Sequence, residues 1–230
     1  MTNNSIQELA DPWWIVDDKK DFRRGRLVRV FIPHVNKIPK TLEITGRNEP
    51  TCHNKIDYIT KPLRINSPPK LPPTPAAAFP VFDKEVLAVY NAKKRPAIII
   101  CGGGDDVPKI LTRGKPKWQS DTTILVAPCY GADEDEKRSG IKPEFIERIY
   151  ACQFPQFIAD KLPIGGASES VIRLDHLQPV GKHHDSVEFT PHCLSETALD
   201  IVDSWLDWLI TGEMDEDSLL SFFREERKEI

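Results

Sequence analysis

The chain has 230 residues, of which 40% are hydrophobic and 29% charged, with a formal net charge of −4. That is enough for one good core and a second small unit, and no apolar run approaches the roughly 20 residues that a membrane-crossing helix needs. Five cysteines, with no Cys-x-x-Cys pair, and a polar Met1 to Ala10 in place of a secretory signal argue against a disulfide framework and for a soluble, cytoplasmic protein with no membrane partner.

Residues 1–22 read as a polar leader ending in an anchor, with Trp13 and Trp14 packed on the body. Lys19, Lys20, Arg23, Arg24, Arg26 and Arg29 make the start of the chain basic, and a second basic cluster runs from Lys93 to Lys117. Glu196 to Glu229 is acidic by contrast. A basic body suits a polyanionic partner, while the tail docks elsewhere or shields the site; the alternative is that these runs are solvated faces.

Arg26 to Ile32 alternates as a strand, with Leu27, Arg29 and Phe31 on one side and Val28, Val30 and Ile32 on the other, and Pro33 ends it. From Asn36 to Tyr90 regular structure is hard to assign. Its prolines, from Pro62 to Pro80, suit neither helices nor central strands, so this stretch reads as a long insertion or ordered loop with extended segments and a short helix near Glu85 to Tyr90. It is either a partner-binding arm or a surface excursion. Pro96 to Cys101 is a short apolar run suited to a buried strand. Gly102 to Asp106 is a turn and not a P-loop, since no Gly-Lys-Ser/Thr follows.

Thr122 to Ala127 predicts a second buried strand closed by Pro128. Lys142 to Tyr150 predicts a short helix, Phe157 to Leu162 an extended segment, and Ser170 to Leu177 a strand halted by Pro179. Ser195 is placed to cap a helix carrying Leu199, Val202, Leu206 and Leu209 at helical spacing, with Gly212 to end it. A last helix starts near Asp217, with acids at its start and Arg224, Arg227 and Lys228 at its end. Short strands followed by terminal helices give an α+β class centred on a β-barrel.

Four pieces in order carry a resemblance: Arg24-Gly25-Arg26-Leu27-Val28, Lys94-Arg95-Pro96-Ala97-Ile98, Ile124-Leu125-Val126-Ala127-Pro128-Cys129, and Ser170-Val171-Ile172-Arg173-Leu174-Asp175-His176. The succession resembles the MazF/PemK toxin family, over about residues 23–32 and 93–211. The resemblance implies a small SH3-like barrel spanning 23–211, with the 36–90 insertion inside it and an acidic C-terminal helix over 212–230. It also implies a dimer that cleaves single-stranded RNA without metal or cofactor, by attack of the 2′-hydroxyl on phosphorus, and a small antitoxin as partner.

In that family an Arg and an Asp do acid and base work, which maps onto Arg173 and Asp175. Strand alternation puts these two side by side with Ile172 and Leu174 in the core; a structural salt bridge is the other reading of the pair. Arg95 matches the arginine that stabilises the phosphate. His34 falls where relatives place a loop histidine. Tyr130 stands where MazF relatives carry Thr or Ser, and with Arg26 and Lys94 it is a candidate for contacting RNA. His176 replaces a Gln and is expected on the opposite face from Asp175 unless the strand twists at its end. Two functions follow: an endoribonuclease, or a weakened barrel that binds nucleic acid or protein. Cys52-His53, His183-His184 and His192-Cys193 lack a second pair at ligand spacing, so no metal site is expected.

Overall fold

The computed structural model describes residues 5–49, 51–52, 54–67, 85–117, 120–132, 141–165 and 169–228. His53 and the prolines from Pro68 to Pro80 lie outside them. In chain order the strands are β1 (Trp14–Val16), β2 (Arg26–Pro33), β3 (Lys40–Gly46), β4 (Asp57–Pro62), β5 (Ala88–Val89) and β6 (Ala92–Cys101). Then follow α1 (Lys109–Thr112), β7 (Thr123–Gly131), α2 (Pro143–Tyr150), β8 (Phe157–Asp160), β9 (Ser170–Arg173), β10 (Gln178–Gly181), β11 (Glu188–Leu194), α3 (Glu196–Thr211) and α4 (Leu219–Lys228). Two compact units result: Met1–Phe31 with Lys94–Ile230, and Ile32–Lys93.

The larger unit is mixed α+β, built on a strongly curled, antiparallel half-barrel sheet. Its strand order is β1-β11-β2-β6-β7-β9-β8, with β10 also paired to β7. Curling lets the sheet bury side chains on both faces. Ile158 and Ile172 point into the main core with Leu27, Ile98, Ile201 and Trp205. Their neighbours Ala159 and Val171 point the other way, against Ile146 and Ile149 of α2. Gly25 at the head of β2 has φ +82°, and a Cβ there would press on Leu199 at 3.1 Å. Only glycine suits both demands.

Two expected strand ends are not ends. Strand β7 runs on through Pro128, and β10 runs through Pro179. On one edge β7 pairs with β10 over Thr123–Val126 and with β9 over Cys129–Gly131. Pro128 falls in the gap between those partners, where a missing N–H costs no ladder bond. Pro179 sits in β10, which pairs only with β7, so it is tolerated as an edge residue is. The strand expected over Ser170–Leu177 breaks at Leu174. A 3-10 turn, Leu174–His176, interrupts it, with Leu174 buried and its N–H donating to Gln156 O at 2.9 Å.

The leader and the tail both belong to the larger unit's packing. Ile6, Ala10 and Trp13 share the main core with Leu220 and Phe223 of α4, so the acidic tail is not a free arm. Helix α3 matches its expected signals: Ser195 Oγ accepts from Ala198 N at 3.2 Å, and Gly212 ends it with φ 79°. Asp160, fully buried, fastens the leader by accepting from Gln7 Nε2 at 2.6 Å and from the Trp13 and Trp14 indoles at 3.3 Å each.

The smaller unit holds a three-stranded sheet in the order β4-β3-β5. The extended segments expected within 36–90 are thus, among the described residues, paired strands, and the helix expected at 85–90 is replaced by β5. Thr41 to Ile44 and Tyr58 to Thr60 are β-branched or aromatic-rich stretches that pair antiparallel, Leu42 opposite Thr60 and Ile44 opposite Tyr58. Ala88 and Val89 pair with Thr41 and Lys40. Among the described residues no helix is long and apolar enough to cross a membrane.

Burial raises the Asp160 carboxyl to about 6, against the hydrogen bonds from Trp14, Trp13 and Gln7. An unfolded aspartate releases its proton near pH 4, so the folded chain binds the extra proton between about 4 and 6. This group therefore adds stability as pH falls through 6, and the addition is lost as pH rises. Urea unfolding at pH 7 and pH 5 checks this: relative to Asp160→Asn, the native chain is expected to gain about 1 kcal/mol on acidification.

Candidate functional site

Three strands and one turn of the larger unit bring five of the expected residues together. Antiparallel register puts Tyr130 of β7 opposite Val171, and Arg173 two residues on points to the same side of β9. Extending the β6–β7 register from the pair Ala97–Pro128 sets Arg95 beside Tyr130. The Arg95 guanidinium lies over the Tyr130 ring, 4.4 Å from its centroid, and that of Arg173 lies 5.9 Å away. Each contact is a cation–π interaction worth about 0.5–1 kcal/mol where partly exposed.

Arg173 Nε donates to Asp175 Oδ1 at 2.8 Å, and its Nη2 donates to Asp175 Oδ2, so the pair is bidentate. The expected neighbourhood of the two residues is present, though a 3-10 turn and not strand alternation creates it. That turn also decides the place of His176, whose expected face held only for a strand that did not twist at its end. In place of the opposite face, the imidazole shares a hydrogen bond of 3.0 Å between Nδ1 and the Tyr130 hydroxyl. The two rings meet edge-on, 5.8 Å between centroids and 76° between planes. His176 Nε2 stands 4.0 Å from Asp175 Oδ2.

The electrostatics follow from this packing. Partial burial works against the Asp175 carboxylate, yet the Arg173 hydrogen bonds, its charge and that of His176 outweigh it and hold the carboxyl below its usual range. Burial pushes the Tyr130 phenol up, opposed in part by Arg95 and Arg173. For His176, burial and then Arg173 lower the imidazole, with Asp175 pulling the other way. The cluster thus keeps one ionised carboxylate, one neutral imidazole and one neutral phenol at neutral pH. Among the described residues no carboxylate pairs with Arg95, and its Nε is buried without a hydrogen-bond partner. A cation so placed is available to an incoming anion.

Two further expected residues, Arg26 and Lys94, are engaged by acidic partners. Arg26 is wholly buried: Nε and Nη2 donate to Asp21 Oδ1 at 3.0 and 2.8 Å, and Nη1 donates to Asp17 O at 2.8 Å. A guanidinium so occupied anchors the leader and has no face left for RNA. Lys94 pairs with Glu188, which also accepts from Arg29 at 3.2 Å, beside a cavity of about 380 Å³ that Arg95, Pro96, Leu162 and Ser170 help to line. His34 belongs to the smaller unit, where its backbone N–H donates to Asn91 O at 2.8 Å.

Phe157 was missed. It pairs with Arg173 in register, and the Arg173 guanidinium lies 5.0 Å from its ring. Only knowledge of the β8–β9 pairing reveals that contact. Asp160 was also missed, although a lone Asp inside the apolar run Phe157 to Leu162 was its signal. Among the described residues no group of three or more His, Cys, Asp or Glu side chains is placed to hold a metal ion.

Comparison with protein-family models, with curated proteins and with solved structures finds no match to this chain.

Cys129, next to Tyr130, is buried with Cys152 and Cys193, whereas Cys101 is exposed. Burial, with the Asp160 charge, pushes the Cys129 thiol well up, and a thiol reacts as its thiolate. Iodoacetamide at pH 8 is expected to label Cys101 first and Cys129 only as the chain unfolds. Peptide mass spectrometry reads the order, and equal rates would place the Tyr130 strand outside the core.

Proposed function

We propose that this protein is a metal-independent endoribonuclease of the toxin–antitoxin type, cutting single-stranded RNA through attack of the 2′-hydroxyl on the adjacent phosphorus. The reading joins two independent lines. The order of sequence pieces resembles the MazF/PemK family, and five of the residues singled out with that resemblance converge. Arg95, Tyr130, Arg173, Asp175 and His176 come from separate stretches of the chain and meet in one partly exposed cluster. This convergence is the observation that carries the proposal.

The chemistry needs cations for the charged phosphorane and groups that can take and give protons. Arg95, with no carboxylate partner among the described residues, and Arg173 supply the cations. Asp175, His176 and Tyr130 are the proton-carrying groups. The curled half-barrel is in keeping with the SH3-like barrel of that family, and the remaining features of the type belong to the same proposal: a homodimer and a small antitoxin as protein partner. The cavity beside Lys94 and Arg29 would then give the RNA backbone a second basic contact.

A second reading is favoured by one residue. Tyr130 takes the place of a family Thr or Ser, and a phenol ring under two guanidiniums is a stacking surface for a base. On that reading the site binds nucleic acid without cutting it.

Incubation of mixed-sequence single-stranded RNA with the folded chain in EDTA separates the two. Cleavage is expected, and Arg95→Ala and Arg173→Ala are each expected to slow it by about 100-fold or more, the usual loss when one charge-stabilising group is removed. Salt-sensitive binding with no cleavage would transfer the site to the second reading.

A further inference from the structure

We infer that Tyr130 and His176 act as one acid–base couple in this site, the imidazole Nε2 taking the 2′-hydroxyl proton while the Tyr130 hydroxyl protonates the leaving 5′-oxygen. The inference rests on the RNA-cleavage reading above and deepens it. It gives proton transfer to residues other than the Arg173–Asp175 pair that the resemblance implies.

Geometry argues for the couple in three ways. Both Asp175 oxygens already accept from Arg173, so a substrate hydroxyl would have to displace a bidentate arginine to reach them. Asp175 Oδ2 is 4.0 Å from His176 Nε2, beyond hydrogen-bond reach, so among the described residues no carboxylate fixes a proton on that nitrogen. The Tyr130 oxygen, 3.0 Å from Nδ1, can accept a proton held there. The Nδ1–H tautomer therefore leaves the Nε2 lone pair free as a base and the phenol O–H free as an acid.

The step balances without forming an imidazolium. The 2′-oxygen bonds to phosphorus and the bond from phosphorus to the 5′-oxygen breaks. The 2′-hydroxyl proton goes to Nε2, the Nδ1 proton passes to the Tyr130 oxygen, and the Tyr130 proton goes to the 5′-oxygen. The products are a 2′,3′-cyclic phosphate and a 5′-hydroxyl, and the imidazole ends as its other tautomer, which exchange with water resets. Avoiding an imidazolium matters here. The charged groups facing the couple are Arg95 from β6, Arg173 from β9 and Asp175 from the 3-10 turn, with Cys129 the titratable neighbour in β7. Partial burial and Arg173 both lower the imidazole. Asp175 then acts as a positioning residue, holding Arg173 against the Tyr130 ring.

Two measurements on the full chain test this. Nitrogen-15 NMR, with the His176 signal assigned by its loss in His176→Gln, is expected to show the neutral Nδ1–H tautomer at pH 7.5; the Nε2–H tautomer would overturn the couple, with or without turnover. Cleavage of single-stranded RNA in EDTA is expected to slow by about 100-fold or more in Tyr130→Phe and in His176→Gln. The native rate should rise through an acidic limb below pH 6.5, a limb lost in His176→Gln and kept in Asp175→Asn. Full activity in Tyr130→Phe, which retains the ring, or loss of the limb in Asp175→Asn, would overturn the couple while leaving the RNA reading in place. No cleavage by the folded native chain would overturn the RNA reading and the transfer step with it.

Discussion

Strand β7 has two successive partners on one edge, and the candidate site depends on that change. Thr123–Val126 pairs with β10 and Cys129–Gly131 with β9. Pro128, which cannot donate a backbone hydrogen bond, fills the interval. Since β9 and β10 follow one another in the chain and both lie against β7, the backbone between them must step aside. It does so in the 3-10 turn Leu174–His176, anchored by buried Leu174. A continuous strand would have sent Asp175 and His176 to opposite faces. The turn brings both to the Tyr130 side, so an interruption in the sheet gathers the cluster.

Around this arrangement, two buried charges of opposite sign hold the leader to the sheet. Arg26 reaches out from β2 to Asp17 and Asp21, and Asp160 reaches from β8 to Gln7, Trp13 and Trp14. Burying a charge is costly unless its hydrogen bonds are met. Each is met only when the leader lies in one register, which favours that register over slipped alternatives. The same demand explains why Arg26 is unavailable to a ligand despite its place in the basic run at the start of the chain.

Much of the frame was legible in the sequence. The strands at Arg26 and Pro96, the helix from Ser195 to Gly212 and the short helix ending at Tyr150 were readable because apolar periodicity and capping residues act locally. The proline positions misled, because Pro128 and Pro179 are breakers only where a ladder bond is needed, and pairing decides that. In the 32–93 unit the extended segments were legible but their pairing was not, since Pro62 ends β4 and the run of prolines after it carries no strand signal, while the β-branched residues of β3 and β4 pair only once the chain folds back. Of the site, Arg95, Tyr130, Arg173 and Asp175 were named from order and resemblance. The His176–Tyr130 bond was not, since it depends on a backbone turn that no local pattern announces. Lys94 was named with Arg95 from the same stretch, and the two line one cavity, with Lys94 held by Glu188.

Strands β2 and β6 are neighbours in the larger sheet, so the chain leaves that unit and returns to it through adjacent strands. In chain order the segment between β2 and β6 therefore stands where a hairpin turn would stand in a minimal version of the sheet. Loop-closure entropy rises only slowly with length, by about 0.6 kcal/mol per doubling, so the sheet tolerates an insert of almost any size there. The insertion point is modular: a short turn, or a different small domain, could be grafted between the end of β2 at Pro33 and the start of β6 at Ala92 with the registers of β6, β7 and β9, and the cluster they carry, left as they are.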